Sequence, residues 1–231
     1  MKLSVSTLAV AALVATAPVA FAQNGAAAPN SASEKPVAPA AMAEALAGFH
    51  VAILRDDEGG IASVGNGSGQ AAVVSFLEPE AAKKAQASLD SDAMVVDVVP
   101  LAAIMNSWAG PVVFETGADE IEKAKELGPE GAEYLAPVFF VTTEGKETMM
   151  KTPTGDVTPI LPSYRNATQM VDKLAAQGID EDTIEIVPIE LADVLRQIST
   201  VDSNSHYRVF THPETVAMIE AKAEAARSGG G

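Results

Sequence analysis

Apolar and polar positions along the chain describe the same order of elements twice. An apolar run, a Glu-Gly turn, two further runs, a helix and a valine-rich strand ending in Val-Pro occupy residues 49–106, and this order returns over 136–198. The two Glu-Gly turns, at 58–59 and 144–145, are 86 residues apart, and the two Val-Pro pairs are 88 apart. Such a period indicates an internal duplication. We therefore expect an α/β (α+β) fold with two pseudo-repeated, strand-rich halves packed as one unit.

The first repeat, residues 41–106, has the pattern of several strands covered by one long helix. Residues 51–54 are a continuous apolar run, which is typical of a buried strand. Pro79 at a first helical position predicts a helix through Leu89. Further elements are expected as strands at 61–64, 71–76 and 94–99, and as short helices at 42–46 and 101–105.

The second repeat, residues 136–198, shows the same elements with clearer helix signals. Ser163 has N-cap chemistry and Gly178 lies where a helix C-cap is expected. Strands are expected at 138–141, 149–150, 157–161 and 184–187. Two apolar stripes with helical spacing are formed by Ala167, Met170, Val171 and Leu174, and by Leu191, Val194, Leu195 and Ile198.

Two segments lie outside the repeats. Residues 107–135 form a connecting segment with a predicted strand at 111–114 and a helix at 119–127, and the pattern shows no counterpart for it in the other copy. Residues 199–231 form a C-terminal extension with an Ala-rich helix over 213–227. We expect Val216, Ile219 and Ala223 to form the apolar face of that last helix.

The N-terminus has the pattern of an export signal. Residues 1–22 combine the positive Lys2, a short apolar stretch and a small-residue cleavage site before Gln23, as in a secretory signal peptide. Residues 23–40 are rich in Ala and Pro with few large apolar side chains, which predicts a disordered leader. We therefore expect a periplasmic protein, with no later apolar stretch of about 18 residues to span a membrane.

Composition narrows the classes of partner. The chain has no cysteine, which excludes disulfides, thiolate metal sites and thiol catalysis. Its formal net charge is −16, from 15 basic and 31 acidic residues. Nucleic-acid binding depends on neutralising phosphates with Lys and Arg, so this balance argues against a nucleic-acid partner. The same surface disfavours adsorption to anionic lipid.

Candidate chemistry is sparse. The three histidines, His50, His206 and His212, have no metal-binding spacing, and we interpret them as structural or surface residues. The glycine-rich run 65–69 lacks the Lys-Ser/Thr ending of a phosphate loop. Carboxylate clusters, which we interpret as solvated turns or helix ends, occur at 56–58, at Asp90 with Asp92, and at 180–182. We assign no catalytic, cofactor-binding or metal-binding residue, and the client-binding residues are unknown at this point.

Aromatic residues are few and concentrate in the middle of the chain and the second repeat. They are Trp108, Phe114, Tyr134, Phe139, Phe140 and Tyr164. Core packing is the expected role of such side chains. The alternative is an apolar groove between the two halves, the feature that a client-binding protein needs.

Several segments resemble the Tic-twenty-two-like family, an intermembrane-space component of the chloroplast import translocon and its bacterial homologues. The resemblance rests on the segments 136–145, 157–160 and 187–189, and on Tyr207 to Phe210 before Pro213. It spans about residues 49–220 and agrees with the duplicated arrangement. The resemblance implies a two-lobed α/β fold and a soluble, chaperone-like factor that holds unfolded or outer-membrane proteins, near the outer-membrane assembly machinery.

The leading hypothesis is a non-enzymatic periplasmic binding protein, without cofactors, that serves protein translocation or outer-membrane biogenesis. An exported hydrolase with a spatially assembled Ser-His-Asp site is an alternative, because triads assemble in space and one of the three histidines would then carry the proton. A structural envelope protein is the other alternative.

Overall fold

The computed structural model describes residues 40–65, 71–89, 94–153, 155–200 and 206–228. The predicted signal peptide and the predicted leader lie outside the described residues, except for Ala40, which begins the first helix. The fold is of the mixed α+β kind, as the sequence predicts.

The first copy follows a short helix α1 (Ala40–Ala45) and contains each element that the pattern predicts. Its elements are β1 (His50–Asp56), β2 (Ser63–Gly65), β3 (Ala71–Phe76), α2 (Pro79–Ser88), β4 (Met94–Pro100), α3 (Leu101–Ser107), β5 (Val112–Glu115) and α4 (Ala118–Leu127). Proline at the first position of α2 has no amide hydrogen to leave unpaired, which is why the helix begins there.

The second copy repeats this order. Its elements are β6 (Pro137–Thr143), β7 (Lys146–Glu147), β8 (Met150–Thr152), β9 (Gly155–Ile160), α5 (Tyr164–Ala176), a 3-10 turn (Glu181–Thr183), β10 (Ile184–Glu190), α6 (Leu191–Ile198), β11 (Tyr207–Val209) and α7 (Pro213–Ser228). The predicted strand at Met149 and Met150 is misplaced, because Met149 lies outside β8 and is 51% exposed.

Strand pairing shows that the two copies have one topology. In the first copy β1 pairs antiparallel with β4 and with β3, and β3 pairs parallel with β5. In the second copy β6 pairs antiparallel with β10 and bridges to Leu161 after β9, and β9 pairs parallel with β11. β2 and β8 form the corresponding hairpins with β3 and β9. The equivalence fixes matched positions, such as Ala52 with Phe139 and Phe76 with Leu161.

The duplication is longer than the pattern indicates. Residues 107–135 contain β5 and α4, and the C-terminal extension contains β11 and α7 in the same order. The same bonds hold both strands: the Val73 amide donates to the Pro111 carbonyl, and the Thr158 amide donates to the His206 carbonyl. The connecting segment therefore has its counterpart in the C-terminal extension, contrary to the expectation from the sequence.

The last helices of the two copies are exchanged. α4 packs on β6 and β10 of the second copy, and α7 packs on α2, β1 and β4 of the first copy. Side chains hold each exchanged helix: Glu120 Oε2 accepts from the Tyr164 amide at 2.8 Å, and Thr215 Oγ1 donates to the Leu77 carbonyl at 2.9 Å. Neither outer layer is thus built by one copy alone, which makes the two copies one folded unit.

The apolar side chains of the described residues form three cores. The central core joins the inner sheet faces of both copies with α1, α3 and α6, and includes Phe49, Ile53, Phe140 and Ile160. Leu54 and Phe76 belong to the outer core of the first copy. Phe139, Val141 and Leu174 belong to that of the second. Both predicted stripes, on α5 and on α6, face these cores.

Two details of the helix ends differ from the sequence expectation. Ser163 precedes α5 as predicted, but its hydroxyl makes no capping bond, and the Glu120 carboxylate accepts from the next amide instead. Gly178 follows α5 with a φ of +88°, a left-handed conformation suited to glycine. The predicted apolar face of α7 is wrong at two of its three residues, because Val216 is 39% exposed and Ala223 is exposed. Ile219 is partly buried, and Thr215, outside that face, is fully buried.

Candidate client-binding groove

The outer face of the first copy contains a cavity of about 560 Å³ between the sheet and α2. Its floor is formed by side chains that alternate with the central-core residues along β1 and β3: Leu54, Val74 and Phe76. Ala62 and Val64 continue the floor along β2. Because successive strand residues point to opposite faces, one set fills the central core while the other lines the groove.

One wall of the groove is the face of α2 that carries small side chains. Ala81 and Ala85 turn toward the sheet, and Lys84 and Ser88 form the rim. Alanine is a strong helix former but reaches only a short distance from the backbone. α2 therefore stands on the sheet without filling the space between them.

The opposite wall runs from Glu115 at the end of β5 to Ala118 at the start of α4. Glu115 is the acidic group of the lining, and its side chain is open to solvent at the mouth of the groove. Partial desolvation of its carboxylate by the groove walls nevertheless raises the pKa of Glu115 above the ordinary glutamate value. The groove is thus apolar at its floor and carries one acidic group at its edge.

The equivalent region of the second copy is filled by larger side chains. Strand register places Phe210 where the first copy has Glu115. The helix registers of α2 and α5 place Met170 where the first copy has Ala85, because Ala82 and Ala167 occupy matched, fully buried positions. Phe210 and Met170 both pack against the second outer core.

The sheet of the second copy also carries a larger side chain on its outer face. Phe139 replaces Ala52 on the outer face, and its ring contacts Tyr164 edge-on, with centroids 5.9 Å apart. Tyr164 begins α5 at the position where Pro79 begins α2. The open groove of the first copy therefore results from specific small or polar residues on a shared scaffold.

The three histidines that the sequence singles out lie apart from this groove's lining. His50 has its Nδ1 at 2.9 Å from the Gly48 carbonyl, and His206 is exposed. His212 is buried, and Glu78 and Glu120 are the carboxylates nearest its Nε2. Within the described ranges, no hydrogen bond joins a histidine to a serine hydroxyl.

The carboxylate clusters that the sequence analysis names lie in turns, where the structure describes them. Asp56 Oδ1 accepts from the Gly60 amide at 2.6 Å, and Asp180 Oδ1 accepts from the Asp182 amide at 3.2 Å. Both are local bonds that close a chain reversal. Asp90, Asp92 and all of the glycine-rich run except Gly65 lie outside the described residues.

Core packing is confirmed for the aromatic residues. Phe114, Tyr134, Phe139 and Phe140 are buried, and Trp108 and Tyr164 pack partly buried against the cores. The alternative of an apolar groove between the halves is wrong, because the central core fills that space. The groove lies instead on the outer face of the first copy.

The groove residues were not predicted from the sequence, because they stand out only when their sizes are compared with those at the matched positions of the second copy. Aligning Pro79 with Tyr164, the residues that begin α2 and α5, pairs Ala85 with Met170. That size difference was available from the sequence. The pairing of Glu115 with Phe210 was not, because β5 and β11 share no residue pattern and only their parallel register relates them.

Solved structures that share this fold include two proteins named Tic22. The first is Tic22 of Anabaena, a protein-transport protein, with a TM-score of 0.61 and 16% identity over 78% of this chain and 96% of that one. The second is Tic22 from Plasmodium falciparum, with a TM-score of 0.57 and 10% identity over 81% of this chain and 98% of that one. The chain has a Tic22-like fold, which confirms the fold that the resemblance implies.

No protein-family model and no curated protein matches the sequence. Among the described residues, no helix is both long and apolar enough to cross a membrane.

Proposed function

We propose that this protein is an exported, non-enzymatic binding protein that holds extended apolar segments of client proteins during protein translocation or outer-membrane biogenesis. The observation that carries the proposal is the open apolar groove on the first copy, at a place where the second copy is filled. The likeness of the fold to that of a protein-transport protein of Anabaena supports the same class of function.

The groove suits weak and reversible binding. A cavity of about 560 Å³ accommodates a few side chains of a client. Burial of one Val, Leu or Phe side chain contributes about 1.5–3 kcal/mol, and association costs oppose a large part of this gain. A client held in this way is released without an energy source, as a periplasmic holding factor requires.

Charge is consistent with a role in holding unfolded chains. The strongly acidic surface keeps the protein soluble while apolar segments are bound. Glu115 at the rim attracts a Lys or Arg that neighbours an apolar client segment. We therefore expect clients whose apolar stretches are interrupted by basic residues.

An aggregation assay tests the proposal. A urea-unfolded outer-membrane β-barrel protein is diluted into buffer with and without the mature protein, and light scattering is recorded. We expect suppression by the wild type and weaker suppression by Ala85→Met, which places in the groove the side chain found in the second copy. We expect client affinity to fall at least about tenfold, or ~1.4 kcal/mol.

The matched control is Ala87→Met on the exposed side of the same helix. It adds the same side chain without reaching the groove, so suppression should equal that of the wild type. Equal aggregation with and without the wild-type protein, or equal activity of Ala85→Met and the wild type, would contradict the proposal. Export is tested separately by N-terminal sequencing of the periplasmic form, for which we expect Gln23 as the first residue.

A further inference from the structure

One buried imidazole and three carboxylates, two of them partly buried and one exposed, lie where the exchanged segments of the two copies meet. Glu78 precedes α2, Glu120 lies in α4, and His212 and Glu214 flank the start of α7. One ligand atom from each of Glu78, His212 and Glu214 lies within 4.8 Å of the others. Elements that are far apart in the chain are thus brought to one point.

His212 is the central group of the cluster, and one of its two ring nitrogens makes no hydrogen bond there. The residue is 4% exposed, and its Nε2 has no hydrogen-bond partner among the residues that the structure describes. Nε2 lies 3.6 Å from Glu78 Oε2 and 4.0 Å from Glu120 Oε1. A buried ring nitrogen without a partner is costly, so its position between two carboxylates calls for a further group.

These separations are close to those between ligands of one metal ion. Zinc binds nitrogen and carboxylate oxygen at about 2.0–2.2 Å, so two of its tetrahedral ligands lie roughly 3.3–3.6 Å apart. The two distances at His212 exceed a normal hydrogen bond but leave room for an ion between the atoms. Small side-chain movements would complete the coordination.

The cluster arises from differences between the copies. By the equivalence of the two copies, Gly117 stands where the second copy has His212, and Ser163 stands where the first has Glu78. A Cβ built at Gly117 would lie 1.8 Å from Glu78 Oε1, so only glycine leaves space for this carboxylate. Both copies therefore supply ligands, Glu78 and Glu120 from the first and His212 and Glu214 from the second, and Gly117 leaves the space that Glu78 occupies.

Charge also favours a cation at this point. Burial, with smaller contributions from Glu214 and Glu120 and against an opposing effect of His212, raises the pKa of Glu78. Glu120 keeps Oε1 for the cluster, since its Oε2 accepts from the Tyr164 amide. A divalent ion would neutralise the facing carboxylates.

We propose that His212, Glu78, Glu120 and Glu214 bind one divalent transition-metal ion of the zinc type, which fastens the exchanged segments of the two copies together. Imidazole with carboxylates suits zinc better than it suits magnesium or calcium, which prefer oxygen ligands alone. The inference is independent of client binding.

Zinc binding at Nε2 of His212 requires a proton to move within the imidazole ring. His212 Nδ1 accepts from the Glu214 amide at a long 3.3 Å, so in the ion-free protein the ring proton is on Nε2. Zinc binding through Nε2 moves this proton to Nδ1 and breaks that contact.

The test uses the EDTA-treated mature protein titrated with Zn²⁺ by isothermal calorimetry, with Mg²⁺ and Ca²⁺ as comparison ions. We expect one saturable Zn²⁺ site per chain and a rise in melting temperature with added Zn²⁺. His212→Ala should weaken binding at least about 100-fold, beyond the 10–100-fold typical of groups outside the ligand set. Glu78→Gln should weaken it with little change in size, and His206→Ala, at an exposed histidine, should leave it unchanged.

A second readout needs no variant. Ring ¹⁵N resonances of the three histidines are followed during the zinc titration, and only those of His212 should shift at stoichiometric Zn²⁺. Absence of saturable zinc binding, unchanged affinity in a folded His212→Ala variant, or ring shifts confined to His50 or His206 would overturn the proposal. If His212→Ala fails to fold, the wild-type ring shifts decide the question.

Discussion

The outer faces of the two copies share a strand order but differ in how they are covered. In the second copy Phe139, Met170 and Phe210 fill the space between the sheet, α5 and α4. In the first copy the matched positions are Ala52, Ala85 and Glu115, and a cavity of about 560 Å³ remains. A duplicated scaffold can therefore keep one outer face densely packed and leave a cavity on the other.

The central core explains how the first copy tolerates this opening. This core contains side chains from both copies and from α1, α3 and α6. The sheet of the first copy is therefore well packed on its inner face, even though its outer face is open. The exchanged helices α4 and α7 extend this support across the copies. Loss of packing on one outer face is in this way compensated elsewhere in the same folded unit.

The largest expected effect comes from making the filled face resemble the open one. Phe139→Ala places in the second copy the residue that the first copy has at the matched position. Phe139 is fully buried, so we expect a loss of about 3–5 kcal/mol in the free energy of unfolding. Urea denaturation measures it, with Met149→Ala, at a half-exposed side chain, as the control expected to change stability by less than about 0.5 kcal/mol. A loss below that of the control would show that the second outer face is not a packed core.

A smaller effect tests the exchange of the last helices. Thr215→Val removes the buried hydroxyl that donates to the Leu77 carbonyl and keeps the shape of the side chain. A buried carbonyl left without a partner costs about 1–3 kcal/mol, and α7 should loosen first. Hydrogen exchange of the α7 amides, together with urea denaturation, measures this effect.

The control for this substitution is Thr168→Val in α5, whose hydroxyl donates to the nearby Arg165 carbonyl. Equal protection of α7 in both variants would mean that Thr215 does not anchor the helix.

The smallest effect concerns Glu115 at the groove rim. Burial raises its pKa in the folded protein, so the folded state is favoured with the carboxyl protonated and stability falls as pH rises from the ordinary glutamate pKa through the raised one. Glu115→Gln should remove this loss, giving a melting temperature slightly above that of the wild type at pH 7 and equal to it at low pH. A difference in melting temperature between the two proteins that is the same at both pH values would contradict a raised pKa of Glu115.

Local patterns predicted most elements but not their long-range relations. Local sequence was sufficient to predict the apolar runs of β1 and β6, the start of α2 at Pro79 and the stripe on α6, because these features depend on neighbouring residues. β11 pairs with β9, about fifty residues earlier in the chain, and its residues show no alternation of their own. The face of α7 was predicted wrongly because polar groups fix it: Thr215 donates to the Leu77 carbonyl, and Lys222 forms an ion pair with Asp97 of β4.

The groove and the His212 cluster needed the three-dimensional equivalence of the copies. The small size of Ala85 is informative only by comparison with Met170 at the matched position. His212 has no metal spacing in the sequence because Glu78 and Glu120 are brought to it from far away in the chain. Such sites arise where the copies have diverged. Comparison of matched positions is therefore the most direct way to find function in this fold.

The most direct test of the open-groove account is photo-crosslinking from matched positions in the two copies. Ser88 at the groove rim and Lys173 at the equivalent place on α5 are both exposed. A photoreactive amino acid is placed at each in turn, and a urea-unfolded outer-membrane β-barrel protein is added before irradiation. The account predicts strong crosslinks from position 88 and weak ones from position 173; equal crosslinks, or stronger ones from position 173, would contradict it.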